Sequence, residues 1–579
     1  MPRQTLGERV ADLLVAEGIT KMFSLPEVTF GRIHQTLHAH GVPLIAPHHE
    51  TVAGYMAEAY VQLTGEIAVV GGSVGPGTIN LYPAIANSYS EALPVLYLGS
   101  ERTLLARRSP RRSQFQCPPN LDVVRPITKY AAIVEDPLQA DDIFHEAFRQ
   151  MRAGTPGPAY IGLPFDMLLE EREFGELARP ERYRPATFAS AVADDEIERA
   201  ATLLAEAQLP LVIGGAGVRL SRSQPLLREL VDALGCPVIL TTGGRAVLPD
   251  THPQVFDFGI EPGATISRSA DVILAVGSSI GEKIGFGDHP YSHRQGGQPT
   301  VFGPAGTQRW IHLERDPVAV GRNRPVDLAL VGDMRALLPR LTVALRRTPG
   351  RAKDARVVGW QDERQEYYRS LYSTVTDATP IHPGRAIIEI QKALPDDVIM
   401  VRDGGAFSVW MQNFLHHNSS EYLVALKQGM LGTGVPYAMA AALAAQKDRR
   451  RVCLITGDGA FGFYAMEIET AVRYQLPIVI VVGYDQGWSL EVPYYMHVCG
   501  RTFEVDHTFV RLDELARVMG AYGEFCAAPG DIAPAVNRAF ASGKPAVVQI
   551  VIDRDVNAFQ IPNNHLWVRW HADKEVYID

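Results

Sequence analysis

The stretch LITGDGAFGFYAMEIETAVRYQLPIVIVVGYDQGW (Leu454–Trp488) decides the fold. An apolar strand runs into Gly457-Asp458-Gly459, a helical stretch follows, and a second apolar strand ends in Tyr484-Asp485-Gln486-Gly487. Strand, helix, strand without a hairpin turn reads as a parallel βαβ unit. It leaves one carboxylate after each of two strands, 27 positions apart (485 − 458). Glycines let a bulky anion approach the backbone, and a helix start offers unpaired N–H groups. A carboxylate beside a phosphate would repel it, so Asp458 and Asp485 are expected to share a hard cation, Mg²⁺, bridging to a diphosphate. The plain alternative is a strand-end turn next to an unrelated surface aspartate.

The same alternation runs outward over nearly the whole chain. EIAVVGGS, LPVLYLGS, LPLVIGG and DVILAVGSS are further short apolar runs, each separated from the next by amphipathic helical stretches. That pattern predicts α/β layers with parallel sheets. Two charged stretches rich in Arg and Pro, 168–188 and 346–368, divide the chain into domains at 1–175, 190–345 and 370–555. The tail 556–579 carries no helix or strand period.

At 579 residues the chain exceeds what one core supports. A net charge of −10, from 55 basic and 65 acidic residues, argues against nucleic acid as a partner. No apolar run reaches the roughly 18 residues of a membrane span, and the N-terminus mixes charges into an amphipathic pattern rather than a signal-peptide core. The five cysteines are scattered with no CxxC pair, as expected of thiols in a reducing cytoplasm.

With its carboxylates at this spacing, the opening motif resembles the signature of the acetolactate synthase-like superfamily of thiamine diphosphate enzymes. The superfamily usually ends that motif in Asn-Asn, where this chain has Tyr484-Asp485. The resemblance implies a pyrimidine-binding, a central nucleotide-type and a diphosphate-binding α/β domain, in that order. It also implies a homodimer or homotetramer in which different subunits hold the two ends of the cofactor. Asp458, Asp485 and the Gly487 carbonyl would ligate Mg²⁺, and Ala406, Phe407, Gly457, Gly459 and Ala460 would line the diphosphate. APHHETVAGYMAEAYVQLTG (46–65) is similar to the family's Arg-His-Glu segment, with Glu50 at the position of the glutamate that hydrogen-bonds the pyrimidine N1′. Such a carboxyl works best partly buried, where its pKa is raised. VVGGSVGPGTIN (69–80) looks like the substrate-side loop, and KQGMLGTGVPYAMAAALAA (427–445) like the segment that gives the Gly429 carbonyl and a Leu431 wedge to the cofactor. The central domain carries FAD or ADP in some members. Here Gly214, Gly215 and Gly217 could admit a nucleotide phosphate, ADP ahead of FAD, although a glycine cluster after a strand is more often a tight turn.

GDGAFGFYAMEIETAVRYQLPI is similar to the 2-hydroxyacyl-CoA lyase and oxalyl-CoA decarboxylase branch. That implies an acyl-CoA substrate, possible branching at C2 as in 2-hydroxyisobutyryl-CoA, and cleavage to an aldehyde or ketone plus formyl-CoA. Trp567, Arg569, Trp570 and Lys574 in the tail would then stack on adenine and pair with phosphate. Expected proton carriers are Glu491, His48, His49, Tyr494 and Glu27, with Gln116 of the Phe115-Gln116 pair, common in acetolactate synthases, close by. Glu491 is expected to lie against apolar cofactor surface with a raised pKa. VRDGGAFSVW (401–410) and Glu27 depart from the branch. Two alternatives stay open: an acetolactate synthase-like carboligase or decarboxylase of a 2-keto acid, and a non-catalytic binding homologue.

Overall fold

Strands such as IVIVVGY, apolar at every position, fit only where both faces are covered, which is the environment of a parallel sheet between helix layers. A computed structural model describes residues 3–184, 192–258, 261–287, 302–304, 306–348, 355–419, 421–557 and 560–561. Its three six-stranded sheets are parallel throughout.

The first sheet holds β1 (Met22–Ser24), β2 (Leu44–Ile45), β3 (Ala68–Gly72), β4 (Val95–Glu101), β5 (Tyr130–Ile133) and β6 (Ala159–Pro164), in the order 2-1-3-4-6-5. The second holds β7 (Pro210–Gly214), β8 (Val238–Leu240), β9 (Val255–Phe256), β10 (Val272–Val276), β11 (Arg309–Glu314) and β12 (Leu328–Val331), in the order 9-8-7-10-11-12. The third holds β13 (Ile399–Arg402), β14 (Tyr422–Leu423), β15 (Val452–Gly457), β16 (Ile478–Tyr484), β17 (Tyr522–Cys526) and β18 (Ala546–Val551), in the order 14-13-15-16-18-17. An antiparallel ribbon joins Arg3–Thr5 to Glu171–Glu173.

The helices that matter for the site are α1 (Glu50–Thr64), α2 (Tyr82–Glu91), α3 (Ala406–Phe414), α4 (Gly434–Ala445), α5 (Asp458–Gly462), α6 (Glu467–Arg473) and α7 (Val492–Cys499). By compactness the chain groups into two units. One is Met1–Ala186 with Ala425–Arg449 and Tyr464–Leu476; the other is Thr187–Val424 with Arg450–Phe463 and Pro477–Asp579. α4 and α6, which lie within the span 370–555, fall in the first of these units. α4 shows why: GVPYAMAAALAA is apolar on every face and needs cover all round, and α1, buried over nearly its whole length, packs along it.

Open parallel sheets bind ligands beyond the C-terminal ends of the strands, at the point where the connections diverge to either side. In the third sheet that point lies between β13 and β15, followed by Asp403-Gly404-Gly405 and Asp458-Gly459. In the first sheet it lies between β1 and β3, followed by the Glu27 turn and the Gly75-Pro76-Gly77 loop. In the second it lies between β7 and β10, and there the loops meet each other. Gly217 donates its N–H to the Gly277 carbonyl at 2.9 Å, and a Cβ on Gly215 would stand 2.2 Å from that same oxygen. The free side of Gly214 faces the Leu240 side chain at 2.9 Å. These glycines serve close packing of one turn on another, as in a tight turn.

Candidate active site

Register answers the question raised by the two aspartates. β15 and β16 pair from Val452↔Ile478 to Gly457↔Gly483, so their C-terminal ends lie side by side and each delivers its carboxylate at the next turn. Asp458 is 8% exposed and Asp485 is 7% exposed. Asp458 Oδ1 accepts the Gly459 N–H at 2.9 Å, while Oδ2 is buried with no hydrogen-bond partner. Burial pushes the Asp458 carboxyl up, against the Asp485 carboxyl and the N–H groups of residues 459, 486 and 487. Asp485 is pushed up to about 7, by burial and by the charge of Asp458, with the Ser489 hydroxyl and Arg554 opposing. Two buried carboxyls facing each other, one with an orphaned oxygen, need a proton or a divalent cation between them. The residues present fit Mg²⁺.

The loop carrying Asp485 is tightly held. Gln486 adopts φ +60°, the Trp488 N–H donates to Val505 O at 2.9 Å, and the His507 N–H donates to Gln486 O at 2.7 Å. Asp506 in that segment pairs with Arg554 at 2.5 Å. A Cβ on Gly487 would strike Val505 O at 2.3 Å, and one on Gly459 would strike the Trp488 ring at 2.6 Å. The free side of Gly459 is therefore filled by Trp488, where the sequence reading had it open to an anion. Gly457 differs: its nearest neighbour is the Gly404 carbonyl at 3.6 Å, across the β13–β15 crevice. Tyr484, in place of the family's first asparagine, accepts the Val510 N–H at 2.6 Å and donates to Thr508 O at 3.2 Å. It anchors the segment that follows the Asp485 loop.

On the other lip of the crevice, Gly405 (φ +91°) has open space where a Cβ would point and precedes α3 as a cap without a side chain. The first-turn N–H groups of Ala406 and Phe407 are thus free of a side-chain acceptor, as an anion site requires. The Phe407 ring itself is core, lying on Gly483 of β16. Ala460 is buried in the short α5.

Glu50 opens α1, is 7% exposed, and accepts the Asn80 side-chain N–H on Oε2 at 3.0 Å. Asn80 closes the loop VVGGSVGPGTIN and was not singled out from sequence; its place at the end of that glycine-rich run is the available signal. A Cβ on Gly77 would sit 2.8 Å from Glu50 Oε1, so this glycine is what admits the carboxyl. Gly429 (φ +63°) stands in open space, with Leu431 half-buried in the turn before α4. α2 touches both places. Asn80, two residues before it, holds Glu50; at its far end Glu91 accepts the N–H groups of Leu426 (2.8 Å) and Lys427 (2.7 Å), and Ser90 Oγ accepts Gln428 Nε2 (2.5 Å).

The expected proton carriers divide into occupied and free. Both His48 ring nitrogens face carboxylates of α6, Nδ1 to Glu467 at 3.4 Å and Nε2 to Glu469 at 3.2 Å, with Thr470 Oγ1 3.1 Å from Nδ1. His49 caps α1, its Nδ1 accepting the Thr51 N–H at 3.1 Å. Glu27 likewise caps the turn at Val28–Phe30 through the Thr29 N–H at 2.9 Å. Gln116 lies on the Gly75 loop, 2.7 Å from where a Cβ of Gly75 would be. Glu491 is the cap residue ahead of α7, exposed rather than enclosed by its own chain, and Tyr494 is half-buried on that helix. Trp567, Arg569, Trp570 and Lys574 lie outside the described residues.

Sequence reasoning passed over one more feature. Residues 102–112, beyond the C-terminal end of β4, carry five arginines and no acidic residue. Arg107 pairs with Glu101 and Arg108 with Glu135, while the guanidinium groups of Arg111 and Arg112 are exposed and have no partner among the described residues.

Models of the thiamine pyrophosphate enzyme match the chain in three places: the N-terminal TPP-binding domain at residues 4–121, the central domain at 197–341 and the C-terminal TPP-binding domain at 403–550. Among curated relatives, an acetolactate synthase large subunit of Mycobacterium tuberculosis is 30% identical over 564 residues, covering 96% of this chain and 97% of the relative. A 2-hydroxyacyl-CoA lyase of Arabidopsis thaliana is 27% identical over 570 residues (94% and 95%), and a glyoxylate carboligase of Escherichia coli is 26% identical over 570 residues (94% and 92%). No described helix is long and apolar enough to cross a membrane. With three domain models in order and a relative at this identity over the full length, the chain belongs to the acetolactate synthase-like superfamily of thiamine diphosphate-dependent enzymes.

Proposed function

We propose that this enzyme is a carbon–carbon lyase that cleaves a 2-hydroxyacyl-CoA to a ketone or aldehyde and formyl-CoA. The observation that carries the acyl-CoA reading is the arginine segment. Arg111 and Arg112 present guanidinium groups with no partner among the described residues, on the loop whose Gln116 rests on the Gly75 turn. A CoA thioester brings phosphates for such groups to bind; a free 2-keto acid such as pyruvate brings none. The Arabidopsis relative supports the same reading. The acetolactate synthase relatives and the Phe115-Gln116 pair favour a carboligase of a 2-keto acid as the second reading.

When bound, thiamine diphosphate supplies a stabilised carbanion centre at its thiazolium carbon. Asp458, Asp485 and the Gly487 carbonyl would hold Mg²⁺; Gly457, Gly405 and the first N–H groups of α3 would take the diphosphate; Glu50 would hold the pyrimidine nitrogen. Asn80 fixes one Glu50 oxygen and leaves the other for that contact. In the reaction the bond between the carbonyl carbon and the hydroxyl-bearing carbon breaks. The hydroxyl proton leaves to a base, and a proton returns to the formyl carbon, so none is consumed overall. Glu491 is suited to carry it, being a carboxylate just past the metal loop with no side-chain hydrogen bond among the described residues. His48 and His49 are engaged elsewhere.

The reading includes a second copy of the chain. Glu50 and Gly429 are held from opposite ends of the ten-residue α2, about 15 Å apart at 1.5 Å per residue. The family resemblance supports pairing Glu50 of one protomer with a cofactor anchored by Asp458 of another. A homodimer is the minimum and a homotetramer a pair of them. The deciding experiment is turnover of purified protein, with Mg²⁺ and thiamine diphosphate, on 2-hydroxyacyl-CoAs and separately on pyruvate. Arg111→Ala with Arg112→Ala should raise KM for the acyl-CoA. Turnover of pyruvate alone would replace the lyase with the carboligase.

A further inference from the structure

Glu58 lies two turns along α1 from Glu50 and is 0% exposed. Three donors converge on its carboxyl: Tyr437 OH of α4 at 2.8 Å and Asn87 Nδ2 of α2 at 2.7 Å on Oε2, and Ser88 Oγ of α2 at 2.9 Å on Oε1. Ser88 Oγ is in turn 2.8 Å from Tyr97 OH of β4, with either as donor. One carboxyl thus ties together α1, α2, β4 and α4.

Those elements set the cofactor-facing groups of this unit. α1 begins at Glu50, α2 grips Asn80 at one end and residues 426–428 at the other, and α4 follows the Gly429–Leu431 turn. The surroundings suit a neutral acid. The charged and titratable groups facing Glu58 are Tyr437, Tyr97, Tyr55 and Glu91; no cation pairs with it among the described residues. Tyr437 and Asn87 still donate to Oε2 when the carboxyl is protonated; a proton on Oε1 would turn the Ser88 bond round, with Ser88 then donating to Tyr97 OH, and the cluster would hold no charge. Burial in this setting pushes the Glu58 carboxyl up to about 8, opposed by its three hydrogen-bond donors.

We propose that Glu58 is the positioning residue that keeps Glu50 and the Gly429–Leu431 turn in working geometry, and that it does so as an uncharged acid whose ionisation releases both. It touches neither substrate nor cofactor. The proposal rests on the reading of Glu50 as the group that activates the cofactor.

The test uses Glu58→Gln, which keeps an uncharged donor and acceptor in place, and Glu58→Leu, which removes both. Three measurements are made on each protein from pH 6 to 9.5: deuterium exchange at the thiazolium carbon of bound thiamine diphosphate without substrate, the dissociation constant for thiamine diphosphate, and the unfolding midpoint of cofactor-free protein. Glu58→Gln is expected to exchange within about threefold of wild type at pH 7. The ratio of wild-type to Glu58→Gln exchange should then fall about tenfold per pH unit above 8, following the neutral fraction. Glu58→Leu should exchange at least tenfold more slowly at pH 7. A flat ratio across that range, or wild-type exchange in a folded Glu58→Leu, overturns the proposal. A lowered unfolding midpoint with unchanged exchange also overturns it, because that is a purely structural role. Should Glu58→Leu fail to fold, the Glu58→Gln ratio alone decides. Glu50→Gln is the separate control: undiminished exchange there would remove the premise, whatever Glu58 does.

Discussion

Replacing Asp485 with asparagine, the residue usual at this position in the family, should make the cofactor-free enzyme more stable and its metal site weaker. In the folded chain the Asp485 carboxyl is raised from 3.8 to about 7 by burial and by Asp458. A carboxyl with a raised folded pKa costs nothing below its unfolded value, where both states are protonated. The penalty grows as pH rises from about 4 to about 7 and is constant above. A shift of about three units at about 1.4 kcal/mol each comes to roughly 4 kcal/mol at pH 7.5. Relaxation and the cost of burying an amide lower the recoverable part, so a gain of about 2–4 kcal/mol is expected for Asp485→Asn. Urea unfolding in EDTA at pH 5 and pH 7.5 measures it, with fluorescence of Trp488, whose ring lies on Gly459, reporting the loop itself. The wild type should lose stability between the two pH values and the variant should lose much less. Magnesium titration in the presence of thiamine diphosphate should show affinity down by roughly tenfold, since the ligand set has one charge fewer. A variant no more stable than wild type at pH 7.5, or one that binds Mg²⁺ as tightly, would refute the account of the site as two opposed carboxylates awaiting a cation.

Three further outcomes are expected. Inactive Glu50→Gln and Asp458→Ala subunits, mixed and reassembled, should recover part of the activity because an intact site then forms between them; verified mixed dimers without activity would contradict a shared site. Glu491→Gln should lower kcat by at least the bottom of the 10²–10⁴-fold range typical of acid–base groups while sparing thiamine diphosphate affinity; near wild-type kcat across pH returns Glu491 to an ordinary surface residue. Gly215→Ala, which places a Cβ 2.2 Å from the Gly277 carbonyl, should cost about 1–3 kcal/mol by overpacking the central domain, read from its unfolding midpoint.

Much of the fold was readable because parallel strands announce themselves as continuous apolar runs, and the runs quoted from sequence recur as β3, β4, β7, β10, β15 and β16. The two-unit grouping was not, since a helix such as α4, apolar all round, does not say in sequence which neighbour it will cover. The aspartates were found by spacing, and register places them side by side. Asn80, Glu58 and the arginines of 102–112 were missed for different reasons. A hydrogen-bond partner 30 positions away from Glu50 leaves no periodic trace. A buried glutamate on a helix reads like a solvated one until its partners are known, and the arginine run lacked a spacing that any chemistry demands. Gly459 was assigned to a ligand because close approach of a backbone to a phosphate and to an aromatic ring make the same request of a residue.

The first and third sheets share one strand order, 2-1-3-4-6-5, and the second has another. Counted along each sheet, α1 and α4 are then counterparts: each precedes its third strand, β3 or β15, and each of those strands runs into a glycine loop. These two helices, which hold the same place in two like-ordered stretches of chain, pack on each other. On the proposed reading, in which Glu50 and Asp458 serve one cofactor from different chains, a lone molecule would carry every necessary part and no complete site, and a two-fold pairing would complete two sites at once.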